Sequence, residues 1–294
     1  MRSVLPLAAL LVLSACDSGT AVEEVPQYFQ AQFLLDAMPS LEGGAAYQSW
    51  ARVSGSWQAV SRFNYDEQGR LIDESGRLIA NTFTTDFDLQ PSTEILITVE
   101  GRRDADLEPS ATRILQGDMV GSGATLTFAA ALTDLTGVIT NYTIGTPTDN
   151  DPSNESFGFW LGTPGTYAPA MTAPTLGAGW VYELWADLAS GRASLGRFSN
   201  PTGSDEASPF SNQPETFAVP GESFVENPPV GVTFPLHVGG LGVFITVEPD
   251  PETTAGTPFG IRIQEATIPA SVTGGEALSM TAVSAFPSGT VQFR

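Results

Sequence analysis

Lysine is absent from the 294 residues: all twelve basic side chains are arginine, against 33 acidic ones, for a formal net charge of −21. Binding to nucleic acid needs basic side chains that neutralise phosphates, so that class of partner is disfavoured. Anionic membrane surfaces would repel the folded part as well. Such a surface is compatible with a saline habitat; the plainer reading is a soluble envelope protein. Cysteine occurs once, at Cys16, and histidine once, at His237. An intrachain disulfide and a cysteine–histidine zinc cluster are therefore excluded. A Ser-His-Asp arrangement would have to use His237, which sits in Phe234-Pro235-Leu236-His237-Val238-Gly239 with no nucleophile-elbow motif in the chain. No glycine-rich phosphate motif follows a strand, and no cofactor is expected. After the N-terminus, no apolar run approaches the roughly 20 residues of a membrane-spanning helix.

What is present begins at the N-terminus. Arg2 precedes the apolar run Val4 to Leu13, which is too short to span a bilayer, and Leu13-Ser14-Ala15-Cys16 resembles a bacterial lipobox. That resemblance implies a signal peptide over 1–15, removal of that peptide, and a lipid on Cys16. An ordinary secretory signal cleaved nearby is the alternative. Residues 16–27 read as a flexible tether. The expected location is the bacterial cell envelope, lipid-anchored, periplasmic or surface-exposed.

Thirty glycines and 22 prolines with few charged residues suit short strands joined by turns. The fold expected is all-β: two tandem antiparallel β-sandwich (Ig-like) domains, at 28–132 and 156–294, joined by an acidic linker at 133–155. One larger sandwich built from both halves is the alternative. The two-domain reading rests on an internal repeat. At a constant offset of 135, Pro39, Leu41, Gly44, Tyr47, Trp50, Ala51, Arg62 and Phe63 meet Pro174, Leu176, Gly179, Tyr182, Trp185, Ala186, Arg197 and Phe198. Further on, Ile95 to Glu100 meets Val243 to Glu248, and Gly123 to Phe128 resembles Gly275 to Met280. Phe157 to Gly162 is expected to start the second domain and play the part of Gln32 to Leu35.

Strand alternation assigns faces. Trp180, Tyr182, Leu184, Ala186 and Leu188 should point to the core, with Glu183, Trp185 and Asp187 opposite. Tyr47, Ala51 and Val53 should likewise point inward, with Gln48, Trp50 and Arg52 outward. Trp50 and Trp185 thus become candidates for contact with a glycan, peptide or partner domain, or else tryptophans covered by other parts of the chain. The same alternation suggests repeated ion pairs, Arg62 with Glu100 and Arg197 with Glu248. Asp149, Asp151 and Glu155, with Asn150 and Asn154, offer oxygen ligands for calcium but lack EF-hand spacing; a solvated acidic linker is the other reading.

Tyr182-Glu183-Leu184-Trp185, Gly196-Arg197-Phe198 and Thr246-Val247-Glu248-Pro249, followed by Pro258, resemble the strand motifs of the C-terminal extracytoplasmic domain of anti-sigma-K factors. The likeness covers roughly residues 157–284. In the first half Ser49, Ser61 and Gly101 replace the leucine, glycine and proline of those motifs. The resemblance implies an envelope-facing β-sandwich; the sigma-binding activity of that family belongs to a helical region not seen in this sequence. The function expected is a non-enzymatic binding or structural module, with an envelope protein or glycan as partner. An accessory sensor of an envelope anti-sigma pathway is one rival, and a carboxylate-dependent glycan hydrolase is another.

Overall fold

The computed structural model describes residues 27–102, 108–149, 151–207, 209–211, 219–283 and 285–294. The first half contributes β1 (Gln30–Asp36), β2 (Ala46–Val53), β3 (Ser56–Tyr65), β4 (Leu71–Ile72), β5 (Thr82–Thr84), β6 (Ser92–Glu100), β7 (Arg113–Asp118), β8 (Gly123–Thr127) and a four-residue helix, α1 (Phe128–Ala131). Then come β9 (Ile139–Ile144), β10 (Gly158–Trp160), β11 (Met171–Thr172), β12 (Trp180–Leu188), β13 (Gly191–Phe198) and β14 (Gly221–Ser223). β15 (Gly242–Pro249), β16 (Arg262–Thr267), β17 (Ala277–Ser279), β18 (Thr281–Ala282) and β19 (Ser288–Phe293) complete the chain.

The protein is nearly all β, built from antiparallel sheets. A nine-stranded sheet runs β4-β3-β2-β6-β7-β8-β19-β1-β5. A second sheet runs β11-β9-β10-β14, with β17 also on β9, and a third runs β13-β12-β15-β16-β18. Alternation explains how the long strands sit. Trp180, Tyr182, Leu184, Ala186 and Leu188 of β12 all join the hydrophobic core, as do Tyr47 and Ala51 of β2, with Val53 packed against it.

The repeat is visible as register. Tyr47 faces Phe63 and Tyr182 faces Phe198; in each strand pair the register shifts after the second residue beyond the tyrosine, between Ser49 and Trp50 and between Leu184 and Trp185. On the next strand Tyr47 faces Val99 and Tyr182 faces Val247. A second irregularity falls at Ile97/Thr98 in one half and Ile245/Thr246 in the other. A bulge costs one unpaired residue and re-aims the chain, so two bulges in the same places are specific features of a shared framework. Even the unlike pair substitutes in concert: Ser49 and Ser61 share a hydroxyl contact of 2.5 Å where the other half has Leu184 beside Gly196.

Other expectations differ from what is observed. The final strand β19 lies between β8 and β1 in the first sheet, so residues 156–294 do not form one contiguous unit of strand pairing. Its sequence has the signature of a half-buried strand, with Val291 and Phe293 buried between exposed Thr290 and Gln292. The expected linker at 133–155 contains β9, the central strand of the second sheet. β10 pairs there with β9 and β14, whereas β1 pairs with β19 and β5, so Phe157 to Gly162 does not repeat the part of Gln32 to Leu35. Likewise β8 pairs with β7 and β19, while β17 pairs with β9. The core is continuous across the halves: Phe128 packs edge-on against Trp180 at 6.1 Å, and the Trp180 indole N–H donates to the Arg113 carbonyl at 3.1 Å.

Candidate functional site

The polar residues singled out by the repeat converge on one device, built twice. The Trp50 indole N–H donates to the Thr98 hydroxyl oxygen at 2.8 Å, and that hydroxyl donates to a carboxylate oxygen of Glu100. Glu100 also accepts from the Ser110 backbone N–H at 3.0 Å. In the second half Trp185 donates to Thr246 at 2.9 Å, Thr246 to Glu248, and the Phe259 N–H to both oxygens of Glu248 at 2.9 Å. The glutamate lies at or next to the end of its strand, β6 or β15, and holds a backbone amide three residues before the next strand, Ser110 or Phe259. Tyr47 and Tyr182 add a further matched clasp, donating to the carbonyls of Pro39 and Pro174 at 2.8 and 2.7 Å. Replacing Thr246 with valine keeps the shape but strands the indole N–H and leaves Glu248 only the Phe259 amide. The expected cost is ~1–3 kcal/mol, read as a lowered denaturation midpoint in urea with an unchanged slope.

This relay corrects two readings. Trp50 and Trp185 are 3% and 1% exposed, so neither offers an aromatic platform. They do lie on the face opposite the core, but that face is itself covered there: Trp185 stacks on Phe244 with ring centres 6.4 Å apart. The pairs Arg62–Glu100 and Arg197–Glu248 are not among the ion pairs of the described residues. Each glutamate is turned along its own strand by the threonine two residues before it. Each arginine instead reaches the carbonyl one residue beyond that glutamate, Gly101 or Pro249, at 2.9 Å in both halves. Arg62 pairs with Glu74 at 2.6 Å. Arg197 sits among Asp250 at 3.5 Å and Glu183 and Glu252 at 3.8 Å.

Three buried glutamates carry strongly displaced acidities. Burial pushes Glu248 up to about 8, opposed by its Thr246 and Phe259 hydrogen bonds and aided by Glu183 and Glu252 nearby. Glu222 on β14 is raised to about 8, again chiefly by burial, although Ser211 donates to it. Glu183 is raised to about 7 by burial, with Ser194 donating at 2.5 Å and Arg197 drawing it back. Oε2 of Glu183 and Oε2 of Glu222 accept no hydrogen bond among the described residues. Sequence reasoning placed Glu183 on the face of Trp185 but did not mark it as buried, and missed Glu222 altogether. A glutamate in a loop-flanked three-residue strand carries no pattern that distinguishes it from a solvated one.

The remaining candidates separate. Asp149 accepts from the Asn154 side chain at 2.6 Å, Asp151 from Ser153, and Glu155 from the Thr146 backbone at 3.1 Å, so each carboxylate is engaged in its own turn. Among the described residues no group of three acidic, histidine or cysteine side chains is placed to hold a metal ion. Asn150 and Cys16 lie outside the described residues. His237 is exposed, accepts from the Gly239 N–H at 3.0 Å and meets Phe157 edge-on. A cavity of about 280 Å³ between the halves is lined by Glu100 and Arg102 on one side and Pro249 and Glu252 on the other. The motif strands β12, β13 and β15, which carry the likeness noted above, are neighbours in one sheet. Against protein-family models, curated proteins and solved structures, the chain has no match.

Proposed function

We propose that this protein is a lipid-anchored envelope protein in which a duplicated β unit of Ig-like sandwich type serves as a non-enzymatic binding or structural module. The observation that carries the reading is the repeated tryptophan–threonine–glutamate relay. The polar groups that the repeat holds in common are committed, in both halves, to holding a backbone amide near the start of the next strand, which is a scaffold's use of them. The anchor rests on the lipobox-like Leu13-Ser14-Ala15-Cys16 and on Cys16 being the sole cysteine. The likeness to the extracytoplasmic domain of anti-sigma-K factors is one of framework, supported by the adjacency of the three motif strands. It carries no sigma-binding activity to this chain, since function resides in sites and not in folds.

The test is metabolic labelling with an alkyne fatty acid in a bacterial host, followed by detergent phase partition. The wild-type chain should take the label and enter the detergent phase; Cys16→Ser should do neither. A wild-type chain that stays unlabelled and aqueous would overturn the anchor.

A further inference from the structure

The outer face of β12, β15 and β16 carries an open groove of about 340 Å³. Phe244 lies beneath it, and two guanidinium groups lie over that ring: Arg262 at 3.8 Å from its centre and Arg192 at 5.7 Å. Each arginine is tied to its own carboxylate, Arg262 to Glu265 at 2.8 Å and Arg192 to Asp187 at 3.4 Å. The four charges cancel, in a protein whose net charge is −21. Thr267 and Thr281 add hydroxyls to the lining.

The first half fills the corresponding place of the same framework differently. Strand register aligns Asp187 with Arg52, Gly242 with Glu94, Phe244 with Leu96 and Glu265 with Gln116. There Glu94 takes Arg52 at 3.3 Å and the side-chain amide of Gln116. In the second half the place of that glutamate is taken by Gly242, where even a Cβ would come within 2.8 Å of Asp187 Oδ2. Relay and bulges are kept in both halves, so the framework does not require the opening. In the first half the matching place is filled by Glu94 with Arg52 and Gln116.

We propose that this groove binds a neutral, hydroxyl-rich saccharide. An anion would meet Asp187, Glu265 and the field of the whole molecule, and a cation would meet the Arg262 guanidinium in the lining with Arg192 beside it. An apolar ligand would strip water from the three charged groups of the lining and return no hydrogen bonds. Sugar hydroxyls both donate and accept, so neighbouring ones match a carboxylate and a guanidinium held side by side. The volume is at the low end for small-ligand sites, about 300–1,000 Å³, which suits a short saccharide.

The inference rests on the binding-module reading but not on the anchor, so its failure and that of Cys16 lipidation are separately visible. The probes are maltose, cellobiose, lactose and N,N′-diacetylchitobiose, with sialyllactose as the anionic comparison, followed by saturation-transfer NMR on the full chain in detergent. At least one neutral probe should bind, and Gly242→Gln, which puts the uncharged counterpart of Glu94 into the groove, should weaken it at least tenfold with an unchanged circular dichroism spectrum. Glu265→Gln, at an exposed side chain, should also weaken it and serves if the first variant does not fold. Failure of all four neutral probes, tighter binding of sialyllactose, or wild-type affinity in a folded variant would overturn the proposal.

Discussion

From about pH 5 to about pH 8.5 the midpoint of thermal unfolding should fall continuously. Glu183, Glu222 and Glu248 hold their protons to about 7, 8 and 8 in the folded chain, against an ordinary value of 4.5. Folding makes them weaker acids, so the stability they confer is fully present below pH 4.5 and is lost as pH rises through the folded values. Between those limits the unfolded chain has released protons that the folded chain keeps, and stability must decline with pH. The three groups act in the same direction, so against a total stability of about 5–15 kcal/mol the midpoint should fall by several degrees or more across the window. Below the window the sign reverses. Asp66, Asp73, Asp134 and Asp151 are held below the usual carboxylate range, Asp66 by Arg70 and the others mainly by serine or threonine and backbone donors; their contribution is lost as pH falls through those values. The optimum therefore lies near pH 4, between the two windows. Scanning calorimetry across the range decides it, and Glu222→Gln with Glu248→Gln should flatten the slope. A midpoint constant from pH 5 to 8.5 would refute the account.

Three glycine-to-alanine substitutions at nearly the same backbone angle should differ widely in cost. Gly55, Gly44 and Gly179 have φ of +87°, +82° and +85°, so alanine pays a similar conformational penalty at each, ~1–2 kcal/mol. Around Gly55 a Cβ meets nothing within 4 Å, and at Gly44 it meets the flexible side chain of Arg102. At Gly179 it would lie 2.7 and 2.8 Å from the backbone of Ala111 and Thr112, where the second half touches the first. These two residues lead directly into β7, and the Thr112 carbonyl accepts from the Val99 N–H at 2.9 Å, so this main chain is held in place and overpacking adds ~1–3 kcal/mol there. The expected order of destabilisation is Gly55→Ala, then Gly44→Ala, then Gly179→Ala, the last costing about 2–5 kcal/mol. Equal urea midpoints for the three would show that the join between halves is not tight.

Tyr182, Leu184 and Ala186 reach the core because strand geometry alternates side chains, a period that a single sequence displays openly. The matched pairs Tyr47–Phe63 and Tyr182–Phe198 were legible for a similar reason: the offset of 135 preserves both identity and spacing. Alternation assigns a residue to a face but does not say what covers that face. Trp50 and Trp185 were therefore correctly turned away from the core and yet are buried. Glu100 and Glu248 show a related limit, since a side chain's partner depends on its rotamer and on neighbours brought in from other strands. Thr98 and Thr246, two residues earlier, take them before the arginines can.

By itself the sequence determined the charge, the exclusion of cysteine–histidine zinc clusters and disulfides, the all-β class and the repeated strand core, because these follow from composition and from local periods of two. Tertiary structure alone decided that β19 returns to the first sheet, that the 133–155 stretch supplies a central strand, and that Gly242 lines a groove where Glu94 fills the matching place. Each of these is a pairing between residues far apart in the chain. Such pairings are set by which edges and faces the folded sheets leave to be covered, and no local pattern records that.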